Sequence, residues 1–252
     1  MESAKFTDIK VRYENSVARI SINRPTKLNA IRIKTYLELI SALQAADASP
    51  DCHIILLEGV GGQFTAGNDL SDLVGGEQMQ LMDCVRDIFL TVANLKKVIV
   101  AAVEGVAVGI GTTILLHCDI VVASRTTKFR VPFANLGVGP EGASSVLLPH
   151  VIGQKMAREV LFTGRFFSAG EALSWGLINQ ISNPEKAVDV AQEYIALLLR
   201  QPLASLLRTK ELMRVSQPEV ATVIDNELKV FCELLQTEET RARINGFLKA
   251  VV

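Results

Sequence analysis

The sequence predicts an α/β fold in which parallel strands are joined by crossover helices. Two kinds of segment alternate through the first two-thirds of the 252 residues. Short, nearly continuous apolar runs at 53–58 and 98–103 are typical of strands buried on both faces. Longer segments carry apolar residues at the spacing of a helix. This alternation favours a parallel sheet with crossover helices, and a chain of this length can bury a sizeable core.

The elements of the first part can be predicted from these patterns in turn. Apolar and polar residues alternate over Ile9–Tyr13 and Val17–Ile22, around Glu14-Asn15-Ser16, which predicts a hairpin. The elements predicted next are a helix over 30–46, a strand over 53–58, a helix over 77–93, a strand over 98–103, a helix through His117, and strands over 119–123 and 128–131. One face of the 77–93 helix carries side chains that we interpret as core, at Met79, Met82, Val85, Phe89 and Val92.

Helices dominate the prediction from about residue 142 onward. The candidate ranges are 142–151, 154–162, 168–175, 184–200, 202–215, 218–236 and 238–250. Ser168 and Glu171 are spaced as a capping box, in which each side chain reaches the backbone amide of the other residue. Because no strand remains for the last helices to cover, we expect them to pack on the core or on another subunit.

Composition and charge argue against several classes of function. Lysine and arginine number 26 against 27 acidic residues, and no extended basic run is present, which argues against nucleic-acid binding. The four cysteines and three histidines lack the spacing of metal ligands, so we expect free thiols and no metal site. The N-terminus lacks the apolar core of a signal peptide, and no apolar run reaches the roughly 20 residues that insert into and span a membrane. These features predict a cytoplasmic enzyme or binding protein.

A glycine-rich stretch, Gly105-Val-Ala-Val-Gly109-Ile-Gly111, follows a predicted strand and opens a predicted helix. Its spacing differs from the GxGxxG dinucleotide fingerprint, and no Lys-Ser/Thr follows it as in a Walker A loop. Such a loop could present backbone amides to a developing negative charge at a helix N-terminus. Tight packing of a strand against a helix also explains the glycines, so both interpretations stay open.

A second loop, Phe64-Thr-Ala-Gly-Asn-Asp-Leu70, offers another set of backbone amides. Amides from two separate loops that converge on one carbonyl oxygen form an oxyanion hole. Asp69 in this loop has two interpretations, as an acid or base and as a cap on the helix that follows. We favour the cap, because aspartate is a preferred residue at that position.

Glu141, between Pro140 and Gly142, is the best candidate for a reactive side chain. A base must start ionised, and the ordinary glutamate pKa of about 4.3 provides that state. An apolar pocket containing Phe133 would raise the pKa of Glu141, whereas a nearby helix N-terminus would lower it. The sequence does not decide between these effects. A first-turn helix residue that interacts with the helix dipole is the alternative interpretation of Glu141.

Several segments resemble, in order and in spacing, the crotonase (enoyl-CoA hydratase/isomerase) superfamily. They are Phe64–Leu70, Gly105–Gly111, Leu116-His-Cys-Asp-Ile-Val-Val-Ala123 and the stretch from Pro132 to Pro140, supported by Asn23-Arg-Pro and by Ser168-Ala-Gly-Glu. The resemblance covers essentially the whole chain. It implies a crotonase-like spiral of ββα units with a helical C-terminal trimerisation region. The spiral core, with acyl-CoA binding and catalysis, would occupy residues 1–195, and residues 196–252 would form the oligomerisation region.

The resemblance also implies the ligands and the site residues. The substrate would be an acyl-CoA thioester, with no separate cofactor because coenzyme A is part of the substrate, and the assembly would be a homotrimer or a dimer of trimers. The two oxyanion-hole amides fall at Asn68 and Ile110. Contacts with CoA or substrate are implied at Leu28, Ala66, Asp69, Leu70, Gly109 and Phe133. Lys27 is a candidate partner for a CoA phosphate, although a solvated lysine is an equal interpretation.

The catalytic carboxylates depart from the hydratase pattern. Hydratases resemble one another in using two glutamates, and the matching positions here are Thr113 and Phe133. Without that pair, the addition of water has no acid and base. Glu141-Gly142 instead resembles the Glu-Gly pair of peroxisomal-type Δ3,Δ2-enoyl-CoA isomerases, in which one carboxylate suffices. The predicted function is therefore isomerisation of a 3-enoyl-CoA. The alternatives are another crotonase reaction and a catalytically silent acyl-CoA-binding module.

Overall fold

A computed structural model of the chain describes residues 6–75, 77–214 and 219–250. Its strands are β1 (Ile9–Glu14), β2 (Val17–Ile22), β3 (Ile54–Gly59), β4 (Val98–Val103), β5 (Val106–Val108), β6 (Ile120–Ser124), β7 (Lys128–Arg130), β8 (Phe167–Ser168) and β9 (Gln180–Ser182). Its α-helices are α1 (Ile33–Ala48), α2 (Leu70–Val74), α3 (Gln78–Asn94), α4 (Ile110–Thr113), α5 (Phe133–Leu136), α6 (Ser144–Ile152), α7 (Gln154–Thr163), α8 (Ala169–Ser174), α9 (Ala187–Leu199), α10 (Leu203–Arg214), α11 (Val220–Leu235) and α12 (Glu238–Ala250). Short 3-10 turns lie at Pro25–Lys27 and Ile114–His117.

The larger sheet has six strands in the order β1-β2-β3-β4-β6-β9. β1 and β2 pair antiparallel through a tight turn in which Asn15 and Ser16 have φ of 49° and 61°. Positive φ at both central residues is typical of the type I′ turn, which suits the twist of a hairpin. The other strand pairs of this sheet are parallel. The sheet therefore confirms both the predicted hairpin and the predicted parallel α/β architecture.

The central strands β3 and β4 bury side chains on both faces, as their apolar sequences predict. Ile55 and Ile99 belong to the main core, which also contains side chains of α1 and α3. Ile54 and Val100 belong to a smaller core, which α9 completes with residues such as Ala191. Consecutive residues of a strand point to opposite faces, so a strand between two helical layers is apolar along most of its length. The exception is Glu58 near the end of β3, which is buried and forms an ion pair with Arg19.

A smaller sheet has the strand order β5-β7-β8. β5 pairs with β7 in parallel. On its other edge, Ala107 of β5 forms an isolated parallel bridge with Thr65. The stretch from Gly105 to Gly111 therefore contains a strand where the sequence predicts a loop, because its three central residues pair on both edges. The helix that follows begins at Ile110.

Two short strands interrupt the region for which the sequence predicts helices alone. β8 and β9 have two and three residues, too few to show a readable alternation. β9 extends the larger sheet and α9 covers that sheet, so this region does contain strands for its helices to cover. The predicted capping box is confirmed, because Glu171 N–H donates to Ser168 Oγ over 3.2 Å and Ser168 N–H donates to Glu171 Oε2 over 2.8 Å.

The prediction that Met79 lies on the buried face of α3 is wrong. Its side chain is 75% exposed, whereas Met82, Val85, Phe89 and Val92 are buried. Met79 lies in the first turn of α3, N-terminal to the part of the helix that packs on the core.

No helix among the described residues is both long and apolar enough to cross a membrane. Within the same ranges, no three histidine, cysteine, aspartate or glutamate side chains gather in an arrangement that could hold a metal ion. Cys52, Cys84, Cys118 and Cys232 are free thiols.

Candidate active site

Three backbone segments lie side by side next to the smaller sheet. Thr65 N–H donates to the Val106 carbonyl over 3.0 Å, and Val108 N–H donates to the Thr65 carbonyl over 3.1 Å. On the opposite side, Ala66 N–H donates to the Leu28 carbonyl over 2.9 Å. The two glycine-containing stretches, Phe64–Leu70 and Gly105–Gly111, are therefore in direct contact. The segment that contains Leu28 borders the first of them on its other side.

Two glycines shape this meeting point in different ways. Gly67 has a φ of +89°, and a Cβ there would lie 2.5 Å from the Val108 carbonyl oxygen, so only glycine fits. Gly109 also has a positive φ, of +55°, but a Cβ there would meet no atom within 4 Å. Gly67 thus permits close packing of two strands, whereas Gly109 borders open space directly before α4.

The pairing leaves the backbone amides of Asn68 and Ile110 available. Asp69 N–H donates to the Ile31 carbonyl over 2.8 Å, so the amide of Asn68, one residue earlier, faces away from Ile31. Ile110 is the first residue of α4, where an N–H has no acceptor within its own helix. Neither amide donates to an acceptor within the ranges 6–75, 77–214 and 219–250. Both belong to adjacent segments, as the donors of an oxyanion hole must.

Glu141 lies in the turn before α6 and is 1% exposed. The sequence predicts that this helix begins at Gly142, but it begins at Ser144, after Ala143 in a left-handed conformation with a φ of 60°. The interpretation of Glu141 as a first-turn helix residue is therefore wrong. Its Oε1 accepts a hydrogen bond of 2.6 Å from Thr113 Oγ1. Its Oε2 is buried and has no hydrogen-bond partner among the described residues.

The position of Thr113 links the base to the free amides. Thr113 and Ile110 are the last and first residues of the four-residue helix α4. Residues three apart on a helix lie on the same face, about one turn, or 5 Å, from each other. The carboxyl group that Thr113 holds and the amide of Ile110 are therefore fixed by one short, buried element.

Burial raises the pKa of Glu141 to about 8, although the hydrogen bond from Thr113 lowers it; the negative charge of Glu227 raises it further. A buried carboxyl group loses the hydration that stabilises its ionised form. Burial is the largest of these causes, so the pKa of Glu141 moves in the direction that the sequence analysis expects for an apolar pocket. A carboxyl group with a pKa close to neutral can both accept and return a proton, as a general base must.

The turn that carries Glu141 is held by side chains from two other elements. His117 Nε2 donates to the Gly142 carbonyl over 2.8 Å, and burial lowers the pKa of His117 to about 4, so the ring is neutral at pH 7. Glu227 of α11 accepts hydrogen bonds from Ala143 N–H at 2.7 Å and from Ser145 N–H at 2.8 Å. The four residues that follow Glu141 are therefore held by side chains of two other elements.

The segments predicted to bind CoA lie at the surface next to this site. Lys27 ends a 3-10 turn and is exposed, and Leu28, in a left-handed conformation, is 50% exposed. The Leu28 carbonyl accepts the hydrogen bond from Ala66 N–H described above, so the two predicted CoA-binding segments, one at Lys27 and Leu28 and the other from Ala66 to Leu70, are adjacent. Leu70, the first residue of α2, is half-buried.

Asp69 precedes α2 at the cap position, but its carboxylate does not cap the helix amides. The carboxylate instead accepts hydrogen bonds from Ser71 Oγ at 2.7 Å and from the Arg24 guanidinium at 3.2 Å. Burial raises the pKa of Asp69, but these two partners outweigh that effect and hold the pKa below its ordinary value. The predicted side-chain cap is therefore wrong, because Arg24 competes for the same oxygens, and the ion pair also makes Asp69 a poor base.

Phe133 is the first residue of α5 and is buried. It occupies the second of the two positions at which hydratases resemble one another in having a glutamate. The two positions of the hydratase pair are thus occupied by an apolar ring and by a hydroxyl group that donates to Glu141. Neither supplies a second carboxylate to the site.

Sequence reasoning missed three supporting residues. Tyr36 is fully buried, and its hydroxyl group donates to Asn68 Oδ1. Burial raises its pKa well above the ordinary value, and the charge of Glu141 raises it further, so Tyr36 is uncharged and close to the base. The other two are His117 and Glu227. Tyr36 lies on a predicted amphipathic helix and His117 follows the glycine-rich stretch, but nothing in the sequence connects Glu227 with this site.

Three comparisons with known proteins find matches over most of the chain. The family model described as "Enoyl-CoA hydratase/isomerase" matches residues 12–250. The chain is 29% identical over 243 residues to the short-chain-enoyl-CoA hydratase of Clostridium acetobutylicum, covering 94% of this chain and 92% of the relative. It is 32% identical over 252 residues to the peroxisomal enoyl-CoA delta isomerase 3 of Mus musculus, covering 96% and 78%. The solved structure of an enoyl-CoA hydratase/isomerase from Pseudoalteromonas atlantica has a TM-score of 0.88 at 32% identity, covering 97% of this chain and 98% of that one.

Proposed function

The chain belongs to the enoyl-CoA hydratase/isomerase family of crotonase-type acyl-CoA enzymes, and from that premise we propose that it is a Δ3,Δ2-enoyl-CoA isomerase with Glu141 as its single base. The observation that carries the proposal is the state of the Glu141 carboxyl group. One oxygen is held by Thr113 and the other is buried without a partner among the described residues. A buried polar atom without a partner is costly, so its retention points to a task in the reaction.

In the proposed reaction, ionised Glu141 takes a proton from C2 of a 3-enoyl thioester through Oε2. The electron pair of that C–H bond moves towards the thioester, giving a dienolate with its negative charge on the thioester oxygen. The protonated Glu141 then returns the proton to C4, and the double bond shifts to the trans-2 position. No atom is gained or lost, and no second carboxylate is required.

The amides of Asn68 and Ile110 are the proposed donors to the dienolate oxygen. The support is that both are free of other acceptors among the described residues and that they belong to adjacent segments. Loss of one such donor typically costs about 3 kcal/mol in the transition state. We further propose that CoA lies along Lys27, Leu28, Ala66 and Leu70, because these residues form one exposed or half-buried surface next to the site.

Hydration of a 2-enoyl-CoA is the second candidate, because one of the relatives reported above is named a hydratase. Against it stand Thr113 and Phe133 at the positions of the hydratase pair. Hydration needs one group to activate water and another to protonate the neighbouring carbon, and a single carboxylate serves this poorly.

We also propose that the protein assembles as a homotrimer or a dimer of trimers. The supporting observation is the exposure of large apolar side chains, including Phe162 at 73%, Leu212 at 73% and Phe166 at 47%. Light scattering after size exclusion should give three or six times the chain mass of 27.4 kDa. A monomer in this measurement would contradict the proposal.

A coupled assay with trans-3-hexenoyl-CoA and crotonyl-CoA tests the proposed reaction. Wild type should isomerise the first substrate and hydrate the second negligibly. Glu141→Gln should lose isomerisation by about three orders of magnitude or more, the upper part of what general bases contribute. Glu193→Gln, which changes an exposed glutamate of α9, is the matched control and should keep the wild-type rate.

The other outcomes distinguish the alternatives. Robust hydration, or isomerisation that does not depend on Glu141, would contradict the single-base mechanism. If neither substrate turned over but acyl-CoA still bound in calorimetry, the protein would be a catalyst of another crotonase reaction or a silent binding module.

A further inference from the structure

Glu227 belongs to the C-terminal helices for which the sequence predicts only oligomerisation. Its side chain is 7% exposed and points at the turn of the base, where both oxygens accept backbone hydrogen bonds. Ala143 N–H donates to Oε2 and Ser145 N–H donates to Oε1. Two short bonds to two amides of one turn fix the position of that turn more firmly than one bond does.

The bonds from Glu227 fall where the backbone of the turn is least stable by itself. Ala143 adopts a left-handed conformation with a φ of 60°, which costs a residue with a side chain roughly 1 kcal/mol or more. The amides next to it belong to the N-terminal end of α6, where backbone donors lack partners inside the helix. Glu227 satisfies these donors and so compensates for the strained conformation two residues after the base.

We propose that Glu227 is a positioning residue for Glu141, holding the turn from Glu141 to Ser145 so that the free carboxyl oxygen faces the substrate. This inference rests on the proposed isomerase function. It gives the C-terminal region a part in catalysis in addition to any part in assembly. The residue acts through the backbone and does not itself touch the reacting atoms.

Glu227 also acts on the base through its charge. Its negative charge disfavours the ionised form of Glu141 and so makes Glu141 a stronger base. Two other ionisable groups that the structure places near Glu141 are neutral at pH 7, because burial lowers the pKa of His117 and raises the pKa of Tyr36. Burial raises the pKa of Glu227 itself, and its hydrogen bonds with Ser145 and Ala143 oppose that effect.

The test compares Glu227→Gln with Glu233→Gln, which changes an exposed glutamate of the same helix. For the 3-enoyl substrate, Glu227→Gln should lower kcat roughly tenfold with KM changed less than about twofold, since one charge-assisted bond is lost away from the ligand. The acid limb of the kcat/KM profile should move to lower pH, because the like charge is gone. Glu233→Gln should match wild type in all three quantities.

A second measurement does not depend on turnover. Carbon-13 NMR of protein with labelled glutamate carboxyl groups, with the Glu141 signal assigned by its absence in Glu141→Gln, should show Glu141 titrating at a lower pH in Glu227→Gln than in wild type. An unchanged titration with an unchanged acid limb, even with a lower melting temperature, would overturn the proposal and leave Glu227 a structural residue. If wild type lacked isomerase activity while the NMR shift was present, the proposed function would fail but the coupling of the two glutamates would stand.

Discussion

Replacing Glu141 with glutamine is expected to stabilise the protein by an amount that grows with pH. Burial raises the pKa of Glu141 from 4.5 to about 8 in the folded state, so the folded protein holds this proton more tightly than the unfolded chain does. The favourable contribution of the protonated group is complete below the lower value and is lost as the pH rises towards the higher one. Between pH 5 and pH 7 the two values give a loss of roughly 2 to 3 kcal/mol in wild type. Glutamine does not titrate and escapes this loss.

Denaturant unfolding of wild type and Glu141→Gln, at pH 5 and pH 7 and at one protein concentration, measures this difference. The advantage of the variant should be roughly 2 to 3 kcal/mol larger at pH 7 than at pH 5. Titrating groups that do not interact with Glu141 act on both proteins alike and cancel, and any unpaired N–H of the new amide adds an offset that does not depend on pH. An advantage that changes by less than about 0.5 kcal/mol between the two pH values would refute the claim that burial holds Glu141 protonated.

Three further predictions concern the same site. In wild type, kcat/KM for the 3-enoyl substrate should rise with pH through an acid limb near 8, the pKa of the base, and a profile flat from pH 6 to pH 9 would contradict this. Thr113→Val removes the hydrogen bond that lowers the pKa of Glu141, so the acid limb should move to higher pH and kcat should fall about tenfold. Thr113→Ser keeps the hydroxyl group and is the control, in which the acid limb and kcat should match wild type. Gly67→Ala should lower the melting temperature most, because its Cβ would lie 2.5 Å from the Val108 carbonyl oxygen. Gly109→Ala should lower the melting temperature less, because its Cβ would meet no atom within 4 Å and only its φ of +55° is unfavourable, and it should also raise KM.

The strongest sequence signals predicted the features that depend on local pattern. Apolar runs identified β3 and β4, because a strand covered on both faces is apolar along most of its length. Glu141, between Pro140 and Gly142, was the candidate reactive side chain of the sequence analysis, and the structure places it in the turn before α6. The same residues misled the prediction of where α6 begins, since nothing in the sequence shows that Ala143 adopts a left-handed conformation.

What could not be predicted depends on contacts between distant parts of the chain. The sequence shows that Thr113 is no carboxylate, but it does not show that its hydroxyl group bonds to Glu141. The link from Glu227 to Ala143 crosses 84 positions, and its residues carry no pattern that relates them. Asp69 fits the preferences of a cap, yet a guanidinium group from another segment takes its oxygens. Local propensity therefore predicted the elements, and tertiary contacts determined the properties of the base.

The way the segment from Thr65 to Asp69 is paired limits how this site can change. Ala66 and Asp69 donate their amides to the neighbouring segment on one side, while Asn68 between them faces the other side. Inserting or deleting one residue here would turn a paired amide towards the substrate and bury a free one, whatever side chains were chosen. Substitutions can therefore vary the acyl groups that are accepted, whereas the number of residues in the segment must remain the same. Redesign of the proposed site should therefore change side chains and leave the length of this segment untouched.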